Sequence, residues 1–374
     1  MKNLLFIFTI SLLFIGCSIK KEIISPLIEV KKDKKIEDVN LEVIKEKKVV
    51  QREIKDEFTT IENMDIDLNV KKIAIIFPSN KIGRYANSTI NTVNAFLIHN
   101  NEAFQLETFD TYTENYRSII TQLGLLKQKG FTKVIAMFTK DGFDILNNLD
   151  GIENIDFYFP LINKEEVLRY ENNFIFGGIS YKEQLNLLKH LSNHKNTMFY
   201  IKSYLGDKLR KNYQQTFANP GVIKEIERAN NRYKYIMNDG RIKGSTVILN
   251  TPIVKSSIIL SQLTAFDVYP YRVLSTQLNY DPLLIKLTQA RDRDNLFVVS
   301  SISEIDNFIE EYTKLLGSNV TYEWVDYSTL LGVNYFINEN NSELIKTKII
   351  ENQVDYEQKL YKGTIYGFEE VFSN

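Results

Sequence analysis

Apolar positions along this chain change period repeatedly, and the changes mark out its elements. Ile73-Ala74-Ile75-Ile76-Phe77 is a continuous apolar run closed by Pro78, which reads as a buried strand. Tyr85, Thr89, Val93, Phe96 and Leu97 then share one helical face, and 104–109 reads as a second strand. Tyr116, Ile119, Ile120, Leu123 and Leu126 recur at three and four, an amphipathic helix. Strands follow at 134–138, 155–159 and 174–176, with a short helix over 143–149. After Ser180 the cycle restarts. The pattern predicts helices at 181–193, 205–217, 281–290 and 303–316, and another opened by Thr251-Pro252. It predicts strands at 198–201, 233–237, 246–249, 271–278 and 296–300. Ile305, Phe308, Ile309, Tyr312, Leu315 and Leu316 are expected to share one helical face. Near the end, 354–360 and 364–371 flank Tyr361-Lys362-Gly363 and suggest a hairpin. Strands that are apolar on both faces and alternate with helices indicate an α/β fold of two doubly wound parallel-sheet lobes, with the second beginning near 181. The chain is expected to cross between the lobes more than once.

The first seventy residues do not share this pattern. Met1-Lys2-Asn3 precedes an apolar run from Leu4 to Ile15, then Gly16-Cys17-Ser18. Twelve residues of helix rise about 18 Å, short of a bilayer core of about 30 Å. The run therefore reads as a secretory signal over 1–16. Phe14-Ile15-Gly16-Cys17 resembles the cleavage site of a bacterial lipoprotein signal, with Phe14 where Leu is usual. The resemblance implies that Cys17 becomes the lipid-modified first residue of the mature protein. Ser18, where Asp would act as a retention signal, implies sorting to the outer membrane, facing the periplasm. Across 18–70, 24 of 53 residues are charged, too many to bury a core. Residues 17–70 are thus expected to form a flexible or part-helical tether with a reach of about 40 Å.

Composition narrows the chemistry of the remaining 71–374. A formal net charge of −1 over 374 residues argues against a nucleic-acid partner. A single Cys excludes an internal disulfide and any Cys-based zinc or iron–sulfur site, and three His leave little for a metal centre. The chain contains neither a Gly-x-Ser-x-Gly elbow nor a Gly-x-x-x-x-Gly-Lys loop. His190 and His194 are four apart, but no Glu follows His190. Neither a metal nor a cofactor is expected, and binding without catalysis is.

The pieces IAIIFPSNKIGRYANSTINTVNAF at 73–96, SYLGDKLRKNYQQTF at 203–217, STVILNTP at 245–252 and LLGVNYF at 330–336 occur in a telling order. Together they resemble type I periplasmic binding proteins, the two-lobed fold of branched-chain amino-acid receptors. The closer resemblance is to the C-terminal domain of the outer-membrane lipoprotein that activates a penicillin-binding protein. The resemblance implies a regulator of peptidoglycan synthesis whose partner is a cell-wall synthase. The alternative is the substrate-binding lipoprotein of an ABC importer for an amino acid or other small polar solute. The first loop departs from amino-acid receptors: Ser79-Asn80-Lys81-Ile82-Gly83-Arg84 is bulkier and more basic, and Ser88 stands where Gly is usual.

In an open α/β sheet, ligands bind beyond the carboxyl ends of the strands. The candidates there are Ser79, Asn80, Thr139, Lys140, Gly178 and Ser180 in the first lobe. In the second they are Ser203, Tyr204, Asn250, Thr251 and Gln277. Hydroxyls and amides at these positions can bind a ligand or cap the helix that follows. Trp324 reads as core in preference to a lobe-interface anchor.

Overall fold

In the computed structural model of the protein, the described residues are 70–217, 220–229 and 231–371, without the side chain of Arg84. The expected signal, Cys17 and the tether up to residue 69 lie outside the described residues.

The first sheet contains β1 (Lys71–Phe77), β2 (Phe104–Asp110), β3 (Lys133–Ala136), β4 (Asp156–Phe159) and β5 (Phe174–Phe176), all parallel. It is completed by β11 (Ile349–Ile350) and β12 (Gln353–Val354), in the order β11-β12-β5-β4-β3-β1-β2. The second contains β6 (Asn196–Tyr200), β7 (Val222–Glu225), β8 (Thr246–Asn250), β9 (Arg272–Ser275) and β10 (Leu296–Ser300), again parallel. The antiparallel pair β13 (Lys359–Gly363) and β14 (Phe368–Glu370) closes it, giving β14-β13-β10-β9-β8-β6-β7. The chain passes from the first sheet to the second after Phe176, returns after Ser300 and passes over again after Val354. Two mixed, mainly parallel sheets flanked by helices are the expected fold class.

The continuous apolar runs follow from burial on both faces. In β1, Ile73, Ile75 and Phe77 face a core shared with α1 (Ser79–His99) and α10 (Trp324–Asn338). Ala74 and Ile76 face the opposite core, shared with α2 (Tyr116–Gln128) and α3 (Lys140–Leu146). That second core is phenylalanine-rich. The Phe143 ring meets Phe159 at 5.1 Å, and Phe157 meets Phe174 at 5.5 Å, both edge-on. In the second lobe, α4 (Tyr181–Lys189) and α5 (Tyr204–Thr216) cover one face, and α6 (Tyr233–Met237), α7 (Ile253–Ala265) and α8 (Pro282–Leu287) the other.

Several sequence expectations are corrected. Residues 233–237 form a helix: Tyr233, Ile236 and Met237 face the core while Tyr235 points to solvent, a helical and not an alternating period. Tyr361-Lys362-Gly363 lies inside β13, and the chain turns at 364–367, where Thr364 N donates to Gly367 O at 2.7 Å. The strand expected over 271–278 ends at Ser275, and Gln277–Asn279 is a 3-10 turn. On α9 (Asn307–Leu315), Ile309 is buried, but Phe308 is 65% and Leu315 82% exposed. Only one edge of this helix meets α1, through His99 stacked edge-on with Tyr312 at 5.4 Å.

Asp326 on α10 is buried and accepts from Asn319 N at 2.8 Å. Burial raises its pKa above the ordinary carboxylate value, against hydrogen bonds from Asn319 and Ser88 that lower it. A raised folded-state pKa contributes stability that is present below the unfolded value and lost as pH rises through the folded one. Asp326→Asn keeps an acceptor for Asn319 and removes the charge. Thermal melts are expected to show the variant gaining over the native chain at pH 7 and losing that advantage near pH 4. Phe159→Ala is expected to cost about 3–5 kcal/mol in denaturant unfolding, because the ring cluster it leaves cannot collapse around the void.

Candidate functional site: the interlobe cleft

The carboxyl ends of both sheets converge on a cavity of about 490 Å³, within the range of about 300–1,000 Å³ usual for small-molecule sites. The segments after β3, β4, β5, β6, β8 and β9 supply its walls, together with 322–325, which lead into and open α10. Apolar groups such as Leu161, Ile179, Leu205 and Leu278 alternate with the rings of Tyr85, Tyr204, Tyr280, Tyr322 and Trp324.

Five of the expected residues, Thr139, Lys140, Ser203, Tyr204 and Gln277, line this cavity. Thr139 is engaged by Glu114, whose carboxylate accepts from its N–H and its Oγ1, both at 2.6 Å. Lys140 pairs with Asp144 at 2.5 Å. Ser203 caps α5, accepting from Gly206 N at 3.0 Å. Tyr204 opens that helix and is largely exposed; partial burial, with nearby carboxylates such as Glu166 and Asp141, raises its pKa.

The other six lie off the cavity wall. Ser79 starts α1 with its N–H donating to Asp110 Oδ1 at 3.1 Å, and Asn80 N donates to Tyr112 O. Gly178 packs so close to Ile162 and Asn163 that a Cβ would collide with their backbone, and its carbonyl accepts from Asn163 Nδ2 at 2.8 Å. Ser180 caps α4 and donates to Glu165 at 2.7 Å. Asn250 and Thr251 are buried behind the wall, where Thr251 Oγ1 lies 2.8 Å from Ser256 Oγ and Asn250 accepts from Thr276.

Gln277 is held differently from the rest. It is 3% exposed. Its backbone N–H donates to Gln184 Oε1 at 2.9 Å, and its side-chain oxygen accepts from Ser301 N at 2.5 Å. Ser301 begins the segment by which the chain returns to the first lobe, and Gln184 Nε2 also donates to its hydroxyl, at 2.8 Å. With the oxygen committed, the amide nitrogen remains, and Nε2 has no partner among the described residues. Tyr181, also 3% exposed, lines the same cavity with its hydroxyl likewise unpartnered. Burial pushes its pKa up, with the Tyr85 hydroxyl and the Glu166 carboxylate adding to the shift, so it stays a neutral hydroxyl. No other unpartnered buried side-chain atom of the described residues belongs to a residue lining this cavity. A buried donor left unpaired costs about 1–3 kcal/mol, so both positions favour an incoming acceptor.

Among the described residues, an ion pair and a ring contact reach across the cleft. Lys208 on α5 pairs with Glu166 of the first lobe at 2.7 Å, its ammonium 5.7 Å from the Tyr181 ring centroid. Tyr280 of the second lobe meets Tyr322 at 5.6 Å. Trp324, expected in the core, is instead half-buried at the cleft and packs against the hydrophobic clusters of both lobes, since the amino end of α10 lies where they meet. Sequence reasoning missed Tyr181, Glu166 and Lys208. Tyr181 directly follows Ser180 and was within reach of the rule on strand ends; the pairing of Glu166 with Lys208 requires the assembled lobes.

No protein-family model matches the chain, and no curated protein matches it by sequence. Solved structures do match. The branched-chain amino acid transporter substrate binding protein LivJ from Streptococcus pneumoniae, in complex with isoleucine, is 9% identical with a TM-score of 0.58, over 81% of this chain and 99% of that one. The leucine binding protein LivK from Thermotoga maritima is 10% identical with a TM-score of 0.55, over 81% and 98%. The C-domain of LpoA from Haemophilus influenzae, described as a regulator of PBP1A, is 12% identical with a TM-score of 0.53, over 81% and 100%. These neighbours are binding proteins and a regulator, and the likeness establishes that the body of this chain has the two-lobed fold of type I periplasmic binding proteins.

Proposed function

We propose that this chain is a non-enzymatic, lipid-anchored binding protein of the cell envelope, facing the periplasm, whose interlobe cleft takes up a small molecule. The observation that carries this reading is that two residues lining a cavity of ligand size, Gln277 and Tyr181, each hold a buried, unpartnered donor, Nε2 and Oη. Binding fits better than turnover. Of the aliphatic hydroxyls in the wall, Ser203 Oγ is committed to capping α5 and Thr139 Oγ1 is held in a hydrogen bond to the Glu114 carboxylate. The anchor rests on Cys17 and the apolar run before it.

A second reading is contact with a penicillin-binding protein as a regulator of peptidoglycan synthesis, favoured by the likeness to the LpoA C-domain along that domain's whole length. A tethered body suits it, because the partner would sit in another membrane. In the first reading, a ligand at a hundred times its dissociation constant stabilises the native chain by about 2.7 kcal/mol.

Lys208→Ala removes the ion pair across the cleft. It is expected to enlarge the radius of gyration of the ligand-free protein in small-angle scattering and to weaken ligand binding by about two- to fivefold, the worth of a partly exposed pair. An unchanged radius and unchanged affinity would mean that this contact does not hold the lobes together. Cys17→Ser is expected to move the protein from the membrane to the soluble fraction, and the native protein should carry the mass of attached acyl chains on its amino end. A native amino terminus without lipid would refute the anchor. Cross-linking in cells tests the second reading: recovery of a penicillin-binding protein supports it, and recovery of transporter subunits alone favours an importer.

A further inference from the structure

The cleft differs from a site built for a zwitterion. Recognition of a carboxylate and an ammonium in a partly dry cavity calls for counter-charges or several converging hydrogen bonds in place of their water. Here the charged groups of the wall are engaged within the protein or stand in solvent. Lys140 is paired with Asp144, and Lys208 with Glu166. Asp281 caps α8, accepting from Leu283 N at 2.7 Å, and Glu323 is also engaged. Lys81 and Asp141 are exposed at the rim. What else the wall offers is uncharged: the buried amide of Gln277 and hydroxyl of Tyr181, and partly exposed aromatic rings from both lobes. Tyr85, Tyr322 and Trp324 come from the first, and Tyr204 and Tyr280 from the second. Burial raises the pKa of Tyr181, Tyr204 and Tyr280, which keeps them neutral at any physiological pH.

An amide NH₂ fixed in direction by its own oxygen donates to a carbonyl or hydroxyl oxygen. Aromatic faces flanking such donors suit a ring with an apolar face and a polar edge. We propose that the cleft takes an uncharged ring bearing hydrogen-bond acceptors, of the class of N-acetylated sugars, with its carbonyl or hydroxyl oxygens on Gln277 Nε2 and Tyr181 Oη. Such a molecule satisfies both donors and rests its C–H face on the rings. A free aliphatic amino acid instead leaves the rings uncovered and its charges without buried partners. This inference rests on the binding reading above.

Calorimetric titration and thermal melts of the full chain in detergent, with N-acetylglucosamine and its β-1,4-linked disaccharide set against isoleucine and glutamate, test it. The sugars are expected to bind and raise the melting temperature, and the amino acids to do neither. Tyr181→Phe removes a hydroxyl that has no partner in the ligand-free protein. It should leave the ligand-free melting temperature equal or higher while weakening sugar binding about two- to tenfold. Gln277→Glu keeps the acceptor for Ser301 and removes the donor, and is expected to weaken binding by at least as much. Binding of isoleucine or glutamate in preference to the sugars overturns the inference and leaves the binding reading intact. Sugar binding indifferent to both substitutions also overturns it. Silence toward all four probes overturns the inference and counts against the binding reading as well.

Discussion

Two interior stretches, Ile73–Phe77 in the first sheet and Thr246–Asn250 in the second, are buried on both faces, so helices must cover both sides of each sheet. That constraint leaves only the loops at the strand ends for polar chemistry. The three crossings decide which ends matter, because all of them run between the same two sheets and bring the carboxyl ends together around one cavity. The cleft is thus a consequence of topology before any wall residue is chosen.

Within that frame, the elements whose period is enforced by burial on one side were legible from sequence. The helix around Ile119, Leu123 and Leu126 is one; the strands at Ile73–Phe77 and Val134–Ala136, buried on both faces, were legible instead as short continuous apolar runs. Helices without a contrast between faces were not. Helix α10 is buried almost all round, so its residues show no periodic stripe, although it fills the space between α1 and the first sheet. The edge strand β7 fails for the opposite reason: only Val222 is buried, and Ile223-Lys224-Glu225 reads as surface. Helix α9 shows that a strong apolar stripe does not guarantee a partner, since Phe308 and Leu315 remain in solvent.

The site was legible to the same extent and for related reasons. The rule that ligands meet strand ends led to Thr139, Lys140, Ser203, Tyr204 and Gln277, all of which reach the cavity. It could not separate residues that cap from residues that face inward. Ser180 and Ser203 share type, position and role as helix caps, yet only the second borders the cavity. Nor could it see that Gln277 would spend its oxygen on Ser301 and keep its nitrogen. That division depends on a crossing segment more than twenty residues further along the chain.

The energetics of closure also follow from this arrangement. The Lys208–Glu166 pair is partly exposed, and pairs of that kind contribute about 0.2–1 kcal/mol. It can bias the lobes toward each other but cannot lock them. More of the cohesion comes from the rings that meet across the gap, Tyr280 with Tyr322, and Trp324 against both cores. The two unpaired donors, Gln277 Nε2 and Tyr181 Oη, both belong to the second lobe, so an occupant bound to them adds to the cohesion of the lobes only through what it also touches on the first.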